Sequence, residues 1–433
     1  MEALREGWAR LRSPISNPRF VSEGRSAASL NPVVTYYLIV IPALVLAIIG
    51  MLMGFSAQTV SSIFGGENPY LDYMKPLLVI LGGLLIAYGV HKIPIEFFKT
   101  FSYPVFVFAL ILQSLVLTPL GREEGGNVNW VWIPGLPFLI QPSELLKLAL
   151  LLVLAKSLTH PGARLHDWRQ MLVKAGGLLG LALVFVMFGH DMGTAMVVAG
   201  LALGALWVAR LPSRWFGVVI LAAMPVLGIF VGKNPTRIQR ILEVLPGNTE
   251  RNISKPEQID HSLWAFGSGG FTGLGPGASR EKWDYLQAAH TDFILAIIGE
   301  EFGLLGSIAV LVTIALLVWG LVRVCQAAKD PYAVIVAGGV ATWIGFQTII
   351  NVFSVTRVGP VVGVPLPLVS HGGSSFLFTV IGIAVIASFA RADTGMTMWG
   401  QSHAFSGMRD PRKARRRRRR RADRGSVEKV TEQ

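Results

Sequence analysis

The chain has 433 residues, of which 52% are hydrophobic and only 15% charged, with a mean hydropathy of +0.53. Soluble domains average about 25% charged residues, so a soluble globule is excluded as the bulk reading and membrane spans become the default. Much of the formal charge of +13 sits in a C-terminal run, so it describes a tail and gives no sign of a nucleic-acid-binding core.

Residues 1–32 are polar and basic and read as a cytoplasmic N-terminal tail. The run VVTYYLIVIPALVLAIIGMLMGF from Val33 reaches the roughly 20 residues a spanning helix needs. No small-residue cleavage site follows it, so it reads as an anchor and not a signal peptide. Runs of this kind recur about ten times, centred near residues 45, 84, 108, 150, 180, 200, 223, 306, 342 and 382, the fourth being the shortest. They are continuously apolar and lack the alternation of barrel strands, which predicts an all-α polytopic membrane domain over about residues 33–391.

An even number of spans puts both termini on one side. Lys92, Lys99, Arg164, Arg169, Arg210, Arg214, Arg323 and Lys329 place that side in the cytoplasm by the positive-inside rule. The long segment at about 233–290, before the eighth span, is then extracytoplasmic. The lone Cys325 can form no intramolecular disulfide there. Residues 392–433 switch to a basic tail carrying RKARRRRRRRADR from Arg412, a like-charge run expected to be disordered. It either fixes topology or binds anionic membrane lipid, at about 1 kcal/mol per basic residue near the surface.

Polar residues concentrate on the predicted outer side. In GGNVNWVWIPGLPF, Trp130 and Trp132 read as interfacial anchors or as part of a ligand site. In QPSELLKLALLL, Glu144 and Lys147 are spaced i, i+3 on one helix side, where they either neutralise each other or line a polar cavity. Arg237 and Arg240 in NPTRIQRILE share a face if helical, a pair tolerated when solvated or when a phosphate or carboxylate lies between them.

GSGGFTGLGPG, from Gly267, lacks the strand and βαβ context of a nucleotide loop, so its glycines read as tight turns approaching the membrane surface or a ligand. The stretch AAHTDFILAIIGEEFG then opens the eighth span. Asp292 reads there as a helix N-cap, a general base, or both, with His290 two residues away. Helix geometry places Glu300 about 12 Å along the axis and about 80° around from Asp292, and Glu301 about 180° around. The three carboxylates cannot share one face. VGVPLPLVSHGGSS, with Ser370, Gly372, Gly373, Ser374 and Ser375, would present backbone N–H groups at a helix start as an anion site. No His and Cys metal cluster and no Ser-His-Asp spacing is evident, and these residues alone leave transporter and membrane enzyme both open.

Three elements in order, QPSELLKLAL, HSLWAFGSGGFTGLGPGASREKWDYLQAAHTDFILAIIGEEFGLLG and PLPLVSHGGSS, resemble the signatures of the SEDS family of bacterial cell-wall proteins over most of the chain. GGNVNW and VPLPLVS look more like its FtsW branch than its RodA branch. His371 stands where the family often has Tyr, and Val362 where it commonly has Thr or Lys.

The resemblance implies a ten-span peptidoglycan glycosyltransferase polymerising lipid II at the outer face of the cytoplasmic membrane. It implies Asp292 as the catalytic residue, and a septal role in cell division. An elongation polymerase of the RodA type and a lipid II flippase are the alternatives. Substrate contacts are expected from Trp130, Glu144, Lys147, Arg237, Arg240, His290 and the Ser370–Ser375 turn. A divalent cation, magnesium or manganese, is the expected cofactor, with no organic one. The expected partners are a class B penicillin-binding protein transpeptidase, other division proteins and membrane lipid, with no nucleic acid.

Overall fold

The computed structural model describes residues 30–124, 127–135, 138–160, 167–218, 258–283, 286, 291–370 and 372–394, with isolated positions at 221, 228 and 232. Among them, helices dominate: α1 (Pro32–Phe64), α2 (Pro69–Val90), α3 (Ile95–Ser114), α4 (Pro142–Leu158), α5 (Gly177–Phe188), α6 (Met192–Val208), α7 (Gln258–Gly269), α8 (Ile294–Ala327), α9 (Pro331–Val355) and α10 (Gly373–Thr394). Short helical turns at Trp168–Met171 and Leu172–Gly176 lead into α5. Of the expected run near residue 223, residues 213–218 are helical and most of the rest lies outside the described residues, as does the Arg-rich tail.

Among the described residues, seven stretches are long and apolar enough to cross a membrane: α1, α2, α3 with its extension to Leu117, α5 with its lead-in from Arg169, α8, α9 and α10. α6 is a shorter apolar helix. α4 has only 17 residues, about 25 Å at 1.5 Å per residue, and carries Glu144 and Lys147 near its start. It tolerates both because it is walled by protein: from Pro142 to Leu158 nearly every side chain is buried. α9 and α10 are also interior, with 78% of their most apolar stretch buried, whereas α2 at 22% shows most of its surface outward. α8 packs on α1 and α9, α9 on α4 and α6, α3 on α4, and α10 on α1 and α2.

Two features depart from a plain bundle. A small antiparallel hairpin, β1 (Gly121–Glu124) with β2 (Asn127–Val131), precedes α4, where the sequence suggested aromatic anchors or a ligand site but no strands. The predicted outer loop is also partly helical, since α7 lies within it and packs on α8.

α8 is interrupted at Gly303, whose φ of 69° and ψ of −166° belong to no helix. In an unbroken helix the Leu304 and Leu305 N–H groups would donate to the Glu300 and Glu301 carbonyls. Here they donate to the Gly270 and Phe271 carbonyls at 2.9 and 3.2 Å. The freed Glu300 and Glu301 carbonyls accept from Leu274 and Gly275 N–H at 2.9 and 3.0 Å. The glycine-rich segment is therefore a splint for a broken helix, satisfying backbone groups that have no alternative partner at membrane depth. Gly269 and Gly273 approach the α8 backbone, where a Cβ would lie 1.9 Å from the Gly299 carbonyl oxygen and 2.2 Å from that of Glu301. A Cβ on Gly303 would lie 2.4 Å from the Gly273 nitrogen, so only glycine fits.

Gly303→Ala is expected to cost about 2 kcal/mol from backbone strain alone. Thermal unfolding of the detergent-solubilised protein checks this, and an unchanged midpoint would show that the break does not need glycine.

Candidate active site

Asp292 sits in the turn before α8, which begins at Ile294 with Phe293 at the N-cap and no side-chain cap bond. The N-cap expected from sequence is thus displaced by one residue, and Asp292 stands half-buried just outside the helix. Its main chain is fixed from two directions. Ser370 Oγ donates to the Thr291 carbonyl at 2.6 Å, and Asn351 Nδ2 donates to the Asp292 carbonyl at 2.7 Å. Phe293, Ile294 and Leu295 behind it are buried and anchor the turn.

The segment facing Asp292 is Val362–Ser370. Prolines 365 and 367 have no N–H to donate and cannot join a helix interior, so the segment stays irregular and its carbonyls need side-chain partners. Asn351 Nδ2 donates to the Val364 carbonyl at 2.8 Å and Gln347 Nε2 to the Pro365 carbonyl at 2.8 Å. The Leu366 N–H donates to Ser370 Oγ at 2.7 Å. Gly363, at φ +71°, is the point closest to the Asp292 carboxylate: a Cβ there would lie 3.5 Å from Oδ2.

Two further helix starts meet the same segment. Asp191 caps α6, accepting from the Thr194 N–H at 2.9 Å and from Thr194 Oγ1 at 2.8 Å. It also accepts from Asn129 Nδ2 of the hairpin at 2.8 Å and from Gln141 Nε2 at 3.3 Å. Gly193 lies against Val362, where a Cβ would approach its carbonyl oxygen to 2.7 Å. At the start of α4, the Gln141 N–H donates to Ser374 Oγ of α10 at 3.1 Å. The N-termini of α4, α6, α8 and α10 therefore gather around one irregular segment. Each brings the positive end of a helix dipole, so the region favours an anion.

Of the residues singled out by sequence, the structure brings Asp292, Ser370, Gly372, Gly373, Ser374 and Ser375 to this junction. Ser374 and Ser375 are buried, and the Ser370 and Ser374 hydroxyls are engaged in tethering neighbouring segments. Glu144 and Lys147 form a fully buried pair, with Nζ 2.9 Å from Oε1 and 2.8 Å from Oε2. Lys147 reaches the junction only indirectly: it donates to Gln347 Oε1 at 3.0 Å and lies over the Trp343 ring at 4.7 Å. Strand alternation turns Trp130 to the face opposite Asn129, away from Asp191. Arg237, Arg240 and His290 lie outside the described residues.

Glu300 and Glu301 serve the splint and not the junction. Glu300 is completely buried and accepts from Ser279 Oγ at 2.5 Å, the Arg280 N–H at 2.9 Å, and the Glu281 N–H and Ser268 Oγ at 3.3 Å. Glu301 pairs with Lys282 at 2.8 Å and accepts from Ser56 Oγ of α1 at 3.3 Å. Sequence reasoning missed Asn129, Asp191, Gln347 and Asn351. Only Asp191 carried a local signal, an Asp directly before an apolar run with Thr three residues on.

Three comparisons align with this arrangement. The family model described as cell cycle protein, covering FtsW, RodA and SpoVE, matches residues 36–395. Stage V sporulation protein E of Bacillus subtilis is 33% identical over 358 residues, 82% of this chain and 96% of that protein. A probable peptidoglycan glycosyltransferase FtsW of Geobacter metallireducens is 31% identical over 350 residues, 80% of this chain and 92% of the relative. Among solved structures, a chain from work on the structural coordination of polymerization and crosslinking by a peptidoglycan synthase complex superposes with a TM-score of 0.64. It is 26% identical and covers 81% of this chain and 97% of that one.

Proposed function

Because this chain belongs to the FtsW, RodA and SpoVE family of cell cycle proteins, we propose that the junction around Asp292 is where it polymerises glycan strands. The chain is a multi-pass membrane protein and a peptidoglycan glycosyltransferase. In our reading its substrate is lipid II. Asp292 accepts the proton of the acceptor sugar hydroxyl as that oxygen bonds to the donor's anomeric carbon. The bond from that carbon to the phosphate oxygen breaks with its electron pair, and undecaprenyl pyrophosphate leaves.

The observation that carries this reading is a half-buried carboxylate, held through its main chain, beside four converging helix N-termini. The carboxylate supplies the base, and the helix ends stabilise charge developing on the pyrophosphate. Lys147 is occupied by Glu144 and Gln347, so in this reading it shapes the floor of the site, and Arg237 and Arg240, which lie outside the described residues, are the cations we assign to the leaving group.

Among the described residues no three of His, Cys, Asp and Glu converge on a common point, and Asp191 is already saturated with donors. A magnesium or manganese ion, which we propose as the cofactor, would therefore be held by one or two carboxylates and the substrate's own phosphates, where it would neutralise leaving-group charge.

Both termini in the cytoplasm would set this junction at the outer membrane face, as the basic loops favour. A class B penicillin-binding protein is the proposed partner, supported by the likeness to a chain of a complex that couples polymerization to crosslinking. The FtsW-named relatives support a septal role, which a fluorescent fusion tests: label along the side wall and absent from the septum overturns it.

The full chain, purified with that partner and given fluorescent lipid II, is expected to produce glycan strands, and Asp292→Asn is expected to retain only a residual rate. Strands formed by the variant at the wild-type rate would falsify the assignment.

A further inference from the structure

α9 is mostly apolar, yet Gln347 and Asn351 project from one side of it, one turn apart, and both are almost fully buried. Burying two amides in a membrane helix is costly unless their hydrogen-bonding groups are used. The Gln347 amide is used entirely within the bundle. Its oxygen accepts from Lys147 Nζ and from Trp343 Nε1 at 2.7 Å, and its nitrogen holds the Pro365 carbonyl. Asn351 differs. Its one amide nitrogen bridges carbonyls from two separate segments, Val364 in the irregular loop and Asp292 at the mouth of α8, at 2.8 and 2.7 Å.

An amide nitrogen has two protons, and here both are committed, while the Asn351 Oδ1 is buried with no hydrogen-bond partner among the described residues, so the two Nδ2 bonds are what hold the side chain in place. The bridge sets the distance between the Asp292 main chain and the loop whose Gly363 faces the Asp292 carboxylate. Asp292 has a short side chain, so wherever its main chain is held, its carboxylate is confined to a small arc.

We propose that Asn351 is the positioning residue of Asp292, clamping the turn that carries the carboxylate to the Val362–Ser370 segment so that the carboxylate stands over Gly363. This rests on Asp292 being the base. Asn351 touches neither substrate nor reacting atoms and acts only through Asp292. Ser354, one turn further along α9, is its internal comparison: it holds the Pro360 carbonyl of the same loop at 3.2 Å, and the bond it makes does not reach Asp292. A residue that merely satisfies a buried loop would behave like Ser354.

The test uses the full chain with its transpeptidase partner and measures kcat and KM for lipid II polymerisation. Asn351→Asp keeps the shape but replaces the donor with an acceptor. It is expected to lower kcat about ten- to hundredfold, the range a misplacement of about 1 Å produces, with KM changed less than about twofold. Ser354→Ala is expected to keep the wild-type kcat. In the Asp292→Asn background, Asn351→Asp is expected to reduce residual activity no further, because residues acting as one unit are non-additive.

Thermal unfolding confirms that each variant is folded at the assay temperature, and Asn351→Ser replaces Asn351→Asp where it is not. A wild-type kcat in the Asn351 variant, a loss in KM alone, or a loss that multiplies with that of Asp292→Asn overturns the positioning role. Wild-type polymerisation by Asp292→Asn instead overturns the base assignment, so the two failures are distinct.

Discussion

Asp292→Asn is expected to lower kcat for glycan polymerisation by about a hundred- to ten-thousandfold, the usual range for losing a general base, with little change in KM or thermal stability. Asparagine has the size of aspartate, and the bonds that Ser370 and Asn351 make to this turn go to the Thr291 and Asp292 carbonyls, which the substitution keeps. The substitution therefore removes proton acceptance while leaving the described scaffold in place. Asp292→Glu keeps the base but moves it outward by about one bond length and is expected to fall between the two, since displacement by about 1 Å costs roughly a hundredfold. A translocase would respond differently, because moving lipid II across a bilayer transfers no proton at Asp292. Asp292→Asn that still moves lipid II in liposomes yet makes no strands separates polymerisation from transport. Strand formation unchanged by the substitution removes Asp292 from the chemistry.

The junction offers an anion something beyond the carboxylate. Helix starts carry partial positive charge from unpaired N–H groups, worth roughly 0.3–1 kcal/mol each for an exposed anion and more when partly buried. Placing four of them together would be repulsive without compensation. Asp191 supplies part of it at α6, Glu144 supplies part at α4 but is neutralised by Lys147, and Asp292 lies beside α8. α10 begins at Gly373 with no acidic residue in its first turn, so its end is the least compensated. A departing pyrophosphate would complete the balance only while present, which suits a site that binds charge developing during the reaction.

The spans were legible in sequence because hydropathy over about 20 residues is a local property. The divergence of Glu300 and Glu301 from each other was legible for the same reason, as an angle on one helix, whereas Asp292, expected on that helix too, stands in the turn before it. Glu300 reaches the Ser279–Glu281 turn and Glu301 reaches Lys282 and α1, so the two carboxylates do take different neighbours. The tight turns of the glycine-rich segment were legible, with Gly270, Gly273, Gly275 and Gly277 all at positive φ, but its role as a splint was not, because a helix broken and splinted by a loop has no period to detect. Asn351 and Gln347 escaped notice for a related reason. Each is a single polar residue in an apolar run, and its meaning depends on contacts with Asp292, Val364, Pro365 and Lys147, which only the fold brings together.

Lys282→Met is expected to destabilise the protein by about 3–5 kcal/mol, the cost of leaving one member of a buried ion pair alone. Lys282 and Glu301 are both nearly inaccessible, and the ammonium also donates to the Gly277 carbonyl at 2.8 Å and to Ser56 Oγ at 3.0 Å. Removing it strands the Glu301 carboxylate next to a loop that has just lost its tether to α1. Removing both charges is a different matter, because a buried pair contributes little net stability over apolar residues of similar volume. Lys282→Met combined with Glu301→Met is therefore expected to recover most of the lost stability, read as the unfolding midpoint in detergent. Activity need not recover with it. The tether fixes Lys282 itself, ten residues before Asp292, and methionine cannot donate to Gly277 or Ser56, so the double variant is expected to be stable but slow. A Lys282→Met protein as stable as wild type would show that Glu301 is not left charged and unpaired. A double variant restored in both stability and rate would show that the pair serves folding alone and places nothing for catalysis.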